Sequence, residues 1–270
     1  MSEIRNRLWQ QYLKASQSVR ELPPGPPATG EVVPLPPAVD LEQLRGTRTI
    51  LVHGYKDDAS VFEPLASYLT ELGLKSYAVS LAPSDCSVPL ETLAQQLEAF
   101  IERNFLSRQE LDFVGFSLGG IVTRYYLQRM GGLARTNRFL TVAAPHHGTW
   151  LAYASNLPAA IQLRPNSDFL LDLNADAESL AGIQFTSIWS PFDLMILPSL
   201  SSRMPIGENR LVWSLQHQGL ITSPRGISAI AEQLLTGTEN MPAFASSEYE
   251  SPPAYDNRAT GEGLEFQGQS

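Results

Sequence analysis

One cysteine in 270 residues, Cys86, leaves no partner for an internal disulfide and no cysteine cluster for a metal. No stretch approaches the roughly 18 uninterrupted apolar residues of a membrane span, which excludes an integral membrane protein built on helices. The opening MSEIRNRLWQ lacks the apolar core of a secretory signal, so a cytoplasmic protein is expected. Positive charge is scarce as well. There are 19 basic residues against 28 acidic ones, a formal net charge of -9. Phosphate neutralisation needs a basic face, so nucleic acid is not an expected partner.

What is present falls into three zones. Residues 1–47 begin with an apolar row, Ile4, Leu8 and Tyr12 with Trp9 and Leu13 beside it, and continue through seven prolines between Pro23 and Pro37. This reads as a helix followed by an extended strap. The stripe either docks on its own domain or, with Arg5, Arg7, Lys14 and Arg20 around it, makes peripheral contact with a lipid surface. Residues 238–270 carry six acids (Glu239, Glu248, Glu250, Asp256, Glu262, Glu265) against Arg258, hence -5 of the total -9. With Ser, Pro and Gly throughout, they read as a disordered acidic tail.

The zone 48–237 alternates two kinds of pattern. Short, largely apolar runs occur at 49–53 (TILVH), 76–81 (SYAVSL), 111–116 (LDFVGF), 139–143 (FLTVA), 185–190 (FTSIWS) and 211–215 (LVWSL). Longer helical patterns lie at 61–72, 90–104, 119–130 and 226–235. This alternation implies an α/β domain of about six mostly parallel strands with helices on both faces. Residues 148–182 are too many for a simple loop and mark where such a domain accepts a cap or lid. There, Leu151, Leu157, Phe169, Leu170 and Leu171 either line an acyl groove or pack in the core. Leu194, Met195, Ile196 and Leu197 face the same choice.

The strongest local signal is Gly115-Phe116-Ser117-Leu118-Gly119, a G-x-S-x-G after the run LDFVGF and before the helical IVTRYYLQRM. That is the setting of a nucleophile elbow, in which a tight strand-to-helix turn exposes the serine beside a helix N-terminus that favours developing negative charge. In chains built on this elbow the partners follow in the order Ser, acid, His. Of the four histidines, His53 precedes the serine, and His146 and His147 follow it too soon for a strand to carry the acid. His217, after the last strand pattern and before a helix, fits the base. His146 and His147 then read as structural, bonding backbone near the site. Asp193 is the aspartate between the run FTSIWS and His217. It is preferred over Glu208, read in a polar loop, and over Asp112, inside the nucleophile's own strand. Its carboxylate would hold the imidazole in one tautomer. The first strand ends in His53-Gly54-Tyr55, so the Tyr55 N–H joins that of Leu118 as the expected oxyanion hole.

The elements HGY, GFSLGG, APHHGT, SPFD and LQHQG, in that order, resemble the lipases and esterases of the α/β-hydrolase superfamily, compact bacterial triacylglycerol lipases in particular. The resemblance covers about 48–237. Phe116 departs from the histidine common before the serine in that family, and Tyr55 from the residue many relatives carry there. The resemblance implies a serine carboxylester hydrolase that cleaves acyl esters or lipids through an acyl-enzyme, with no cofactor or metal. The same residues would serve an acyltransferase or thioesterase, and the fold also occurs as a silent binding module.

Overall fold

The computed structural model describes residues 48–236 except residue 108. The N-terminal helix and strap, with their expected lipid contact, and the acidic tail lie outside the described residues. No described helix is long and apolar enough to cross a membrane.

Six strands form one sheet in the order β2-β1-β3-β4-β5-β6, every neighbouring pair parallel. They are β1 (Arg48–Val52), β2 (Lys75–Val79), β3 (Leu111–Phe116), β4 (Thr136–Val142), β5 (Gln184–Trp189) and β6 (Glu208–Leu211). The seven helices among the described residues are α1 (Glu63–Glu71), α2 (Leu90–Asn104), α3 (Leu118–Arg129), α4 (Pro158–Gln162), α5 (Asp168–Ala175), α6 (Gly219–Thr222) and α7 (Pro224–Leu235), with short 3-10 turns between them.

The two-residue period of the central strands divides the core. Ile50, Val52, Leu111, Phe113 and Phe139 point to one face, where Leu90, Leu93, Leu97 and Ile101 of α2 and Ile121 and Val122 of α3 cover them. Leu51, Val114, Phe116, Leu140 and Val142 point to the other, under Leu65 and Leu69 of α1 and Ile227, Ile230 and Leu234 of α7. All six residues of β3 are buried, as expected of a central parallel strand without polar alternation. Helix α7 shows how local chemistry starts an element. Pro224 takes the first turn, and the Ser223 hydroxyl accepts from the Gly226 N–H at 3.3 Å.

The last strand departs from expectation. The apolar run 211–215 is not the strand; β6 is the polar stretch ENRL at 208–211, an edge strand whose residues are half-buried or exposed. An edge strand needs no apolar alternation, so the run marked the place where the chain leaves the sheet. Val212 still donates to the Trp189 carbonyl at 2.9 Å and is buried, but Leu215 is exposed. Glu208 consequently lies in a strand rather than a loop.

Strand order reverses at β1, since the chain moves from β1 to β2 on one side and returns with β3 on the other. A crevice opens at the carboxyl ends of strands at such a reversal. Residues 53–58 after β1 and Ser117 after β3 flank it.

Candidate active site

Ser117 is the hinge between β3 and α3, with φ 52° and ψ -123°. A non-glycine residue occupies that region only under compulsion. Two contacts hold it: its N–H donates to the Val142 carbonyl at 2.8 Å, and its carbonyl accepts from the Gly120 N–H at 3.0 Å. The turn is tight enough that β1 touches it. A Cβ on Gly119 would overlap the Val52 and His53 carbonyl oxygens, so the elbow glycine is required by close approach of backbone.

The loop after β1 forms the opposite wall. His53 is buried and clamps it: Nδ1–H donates to the Gly54 carbonyl at 3.0 Å, while Nε2 accepts from the Leu81 N–H at 2.9 Å. Lys56, at φ 58°, donates its N–H to the Ser84 carbonyl at 2.9 Å. Tyr55 lies between these anchors with its side chain exposed. Leu118 is the first residue of α3, so its N–H has no acceptor within the helix.

Asp193 and His217 come together from the ends of β5 and β6. Nδ1–H of His217 donates to Asp193 Oδ2 at 2.8 Å. The other carboxylate oxygen, Oδ1, accepts from the N–H groups of Met195 at 2.8 Å and Ile196 at 3.2 Å. The carboxylate is buried, whereas the imidazole keeps 13% of its side chain exposed. With the proton on Nδ1, Nε2 presents a lone pair. His217 and Ser117 form no hydrogen bond with each other here; they are linked through Phe116, whose ring lies 4.8 Å from the imidazole, centroid to centroid. Serine–histidine bonds of this kind are often long without substrate and tighten when it binds.

The competing residues lie elsewhere. Asp112 pairs with Arg138 at 3.3 Å near the start of β3, and burial pushes its carboxyl up to about 6 despite that partner. Glu208 opens β6, opposite Thr186, at the end of the sheet away from Ser117. His146 is fully buried in a side-chain network rather than bonded to backbone. Nδ1 accepts from Arg124 at 3.3 Å, and Nε2–H donates to Thr141 Oγ1 at 2.9 Å. Thr141 donates on to Ser187 at 3.2 Å, and Ser187 donates to the Ser202 carbonyl. Burial first, then the Arg124 charge, hold this imidazole well below the usual histidine range, so it stays neutral.

Residues 148–182 form α4, α5 and two 3-10 turns. Of the apolar residues there, Leu170 is in the core, Phe169 stacks on Tyr125, and Leu151, Leu157 and Leu171 are exposed. Thr149 ties this stretch to the loop of Asp193: its hydroxyl donates to the Met195 carbonyl at 3.0 Å and accepts from the Leu197 N–H at 3.0 Å. Leu194 and Met195 are therefore exposed beside the Trp150–Ala154 turn rather than packed, while Ile196 is core. Sequence reasoning passed over three residues. Gln218 donates to Asp57 at 2.9 Å across the crevice, and Arg124 is fully buried on α3. Asp57's only sequence signal was its place in HGYKDD, four residues beyond His53.

The comparisons agree with this architecture. The mature form of the Bacillus licheniformis lipase BlEst2 superposes with a TM-score of 0.58 at 16% identity, covering 76% of this chain and 97% of that one. The metagenomic carboxyl esterase MGS0156 gives 0.60 at 17% identity, over 79% and 81% of the two chains. Aspergillus fumigatus lipase B gives 0.57 at 18% identity, over 70% and 52%. The chain has the α/β-hydrolase fold. Residues 48–164 match the palmitoyl protein thioesterase family. That segment holds the loop after β1, the elbow and the Pro145-His146-His147-Gly148 stretch, and ends before Asp193 and His217. Among curated proteins, none matches the chain.

Proposed function

We propose that this protein is a serine carboxylester hydrolase acting on acyl esters, with Ser117 as nucleophile, His217 as base and Asp193 as its orienting acid. The observation that carries the reading is the His217–Asp193 hydrogen bond at the carboxyl edge of the sheet, next to a serine held at φ 52°. Serine attack needs a base with a free lone pair on the serine side, and the bond to Asp193 leaves Nε2 in that state. Ser117 Oγ adds to the ester carbonyl carbon while its proton passes to Nε2. The carbonyl oxygen becomes an oxyanion, met by the N–H groups of Tyr55 and Leu118. Collapse breaks the bond to the leaving oxygen, which takes the proton from His217. Water, deprotonated by the same imidazole, then attacks the acyl-enzyme and releases the carboxylic acid and Ser117. Leu151, Leu157, Leu194 and Met195 are exposed, and those of them near the Asp193 loop would offer the acyl chain an apolar surface.

A thioester substrate is the second reading. The match of 48–164 to palmitoyl protein thioesterases favours it, and the same steps apply with sulfur as leaving atom. A fluorophosphonate probe should label the wild type and leave Ser117→Ala unlabelled. Equal labelling of both, or of neither, ends the serine reading. Matched oxyesters and thioesters of increasing acyl length then decide between the substrates by kcat/KM.

A further inference from the structure

The crevice holds a second carboxylate that the mechanism above does not use. Asp57 sits in the loop 54–58 that carries the Tyr55 N–H, and its Oδ1 accepts from Gln218 Nε2 at 2.9 Å. Gln218 follows His217 directly and caps α6. The His217 carbonyl accepts from the Leu220 N–H at 3.2 Å, and the Gln218 carbonyl from the Ile221 N–H at 3.0 Å. The histidine and its neighbour therefore move as one turn. On the other side, the Asp57 N–H donates to the Gly54 carbonyl at 3.4 Å, and the Asp57 carbonyl accepts from the Ser84 hydroxyl at 2.9 Å. The Asp57–Gln218 bond thus spans from the oxyanion loop to the histidine turn.

Gly54 shows how near this carboxylate comes to the nucleophile. A Cβ there would lie 3.0 Å from Ser117 Cβ and 3.3 Å from Asp57 Oδ2. The two side chains, with Phe116, crowd the space over Gly54 too closely for a methyl group to enter without a shift. Around Asp57, His53 is committed to its two backbone bonds, Lys56 lies over the Tyr55 ring, and Asp58 is held by Ser60. His217 in turn faces Asp193 on its Nδ1 side. Burial raises the Asp57 carboxyl above its usual range, while the Gln218 bond, His53 and His217 pull it back.

We propose that Asp57 is a positioning and specificity residue of this site: through Gln218 it sets the gap between the oxyanion loop and His217, and its charge disfavours substrates that carry a second negative charge near the scissile ester. This rests on the serine hydrolase reading.

Two substitutions separate geometry from charge. Asp57→Asn keeps an oxygen to accept from Gln218 and removes the charge; Gln218→Ala keeps the charge and removes the clip. Each variant is first labelled with the fluorophosphonate probe. If the wild type does not label, the hydrolase reading has failed; if it labels, the following outcomes bear on Asp57 alone. Rates are measured on para-nitrophenyl butyrate and para-nitrophenyl hemisuccinate, equal in acyl length but differing by one carboxylate. In Asp57→Asn, the preference for butyrate over hemisuccinate should drop about threefold, less at high salt. Gln218→Ala should keep the preference while kcat falls about tenfold. An unchanged preference in Asp57→Asn overturns the charge role. An unchanged kcat in Gln218→Ala overturns the positioning role.

Discussion

The ring of Phe116 packs against the imidazole of His217, centroids 4.8 Å apart and planes inclined by 41°. Phe116 is the residue before the nucleophile, so the elbow itself props the proposed base. The ring is also core, 1% exposed between Val114 and Val142 on the α1 side of the sheet. Phe116→Leu should preserve most of that packing and remove the flat surface behind the imidazole. We expect kcat to fall about tenfold with KM little changed, because a small misplacement of a catalytic group acts on the transition state. A KM effect with unchanged kcat would assign Phe116 to substrate binding instead.

Asp193→Asn should be severe. The amide can still accept from Met195 and Ile196, but it no longer favours the Nδ1–H form of His217. Loss of the correct tautomer costs on the order of 10⁴ in kcat in serine proteases, and a fall of that size is expected here. Glu208→Gln at the far end of β6 should leave kcat within about twofold. The opposite ranking of the two variants in a steady-state ester assay would exchange their roles.

These residues differ in how they announced themselves. Ser117 was legible because an elbow needs glycine where β1 touches α3, and glycine is visible in sequence. Asp193 and His217 followed from chain order, since a parallel sheet brings successive strand ends to one edge. The position of β6 was not legible. An edge strand has one neighbour and little apolar face, so the stronger apolar signal lay in LVWSL, where only Val212 is well buried. Asp57 and Gln218 meet across 161 positions of sequence, and no local pattern encodes a pairing that the sheet's switch point creates.

Two arginines on α3 should answer very differently to removal. Arg124 is fully buried and donates to Gln128, Asn174, His146 and the Leu173 carbonyl, none of them a carboxylate. Burial lowers its guanidinium to about 9, which still leaves it charged at neutral pH. Arg129 pairs with Asp172 and Asp176 at 3.0 and 2.9 Å, both largely exposed. Arg124→Met would leave the end of α5 without its donors, and we expect a loss of about 3 kcal/mol in urea unfolding. Amide exchange in 168–182 should quicken with it. Arg129→Ala should cost less than about 1 kcal/mol. Equal losses would mean that α5 is not held through Arg124.

His146 allows a test in which stability and activity part company. Its ring is buried and held neutral, with burial the largest cause and Arg124 the next. In an unfolded chain a histidine takes up a proton near about pH 6.5. Below that pH the unfolded state binds a proton that the folded state refuses, so folding stability falls as pH falls. The steepest slope from one such group is about 1.4 kcal/mol per pH unit. His146→Gln can still donate to Thr141 and accept from Arg124, but it has no proton to gain. It should lose some stability at neutral pH through imperfect fit, then show a shallower decline between about pH 6.5 and 5 than the wild type. Asp112, whose raised carboxyl contributes the opposite slope below about 6, is common to both proteins and cancels in the difference. The acid limb of kcat/KM should survive in His146→Gln, because the proposed base is His217. Parallel stability slopes for the two proteins would show that His146 protonates without cost, and loss of the limb would make it the base.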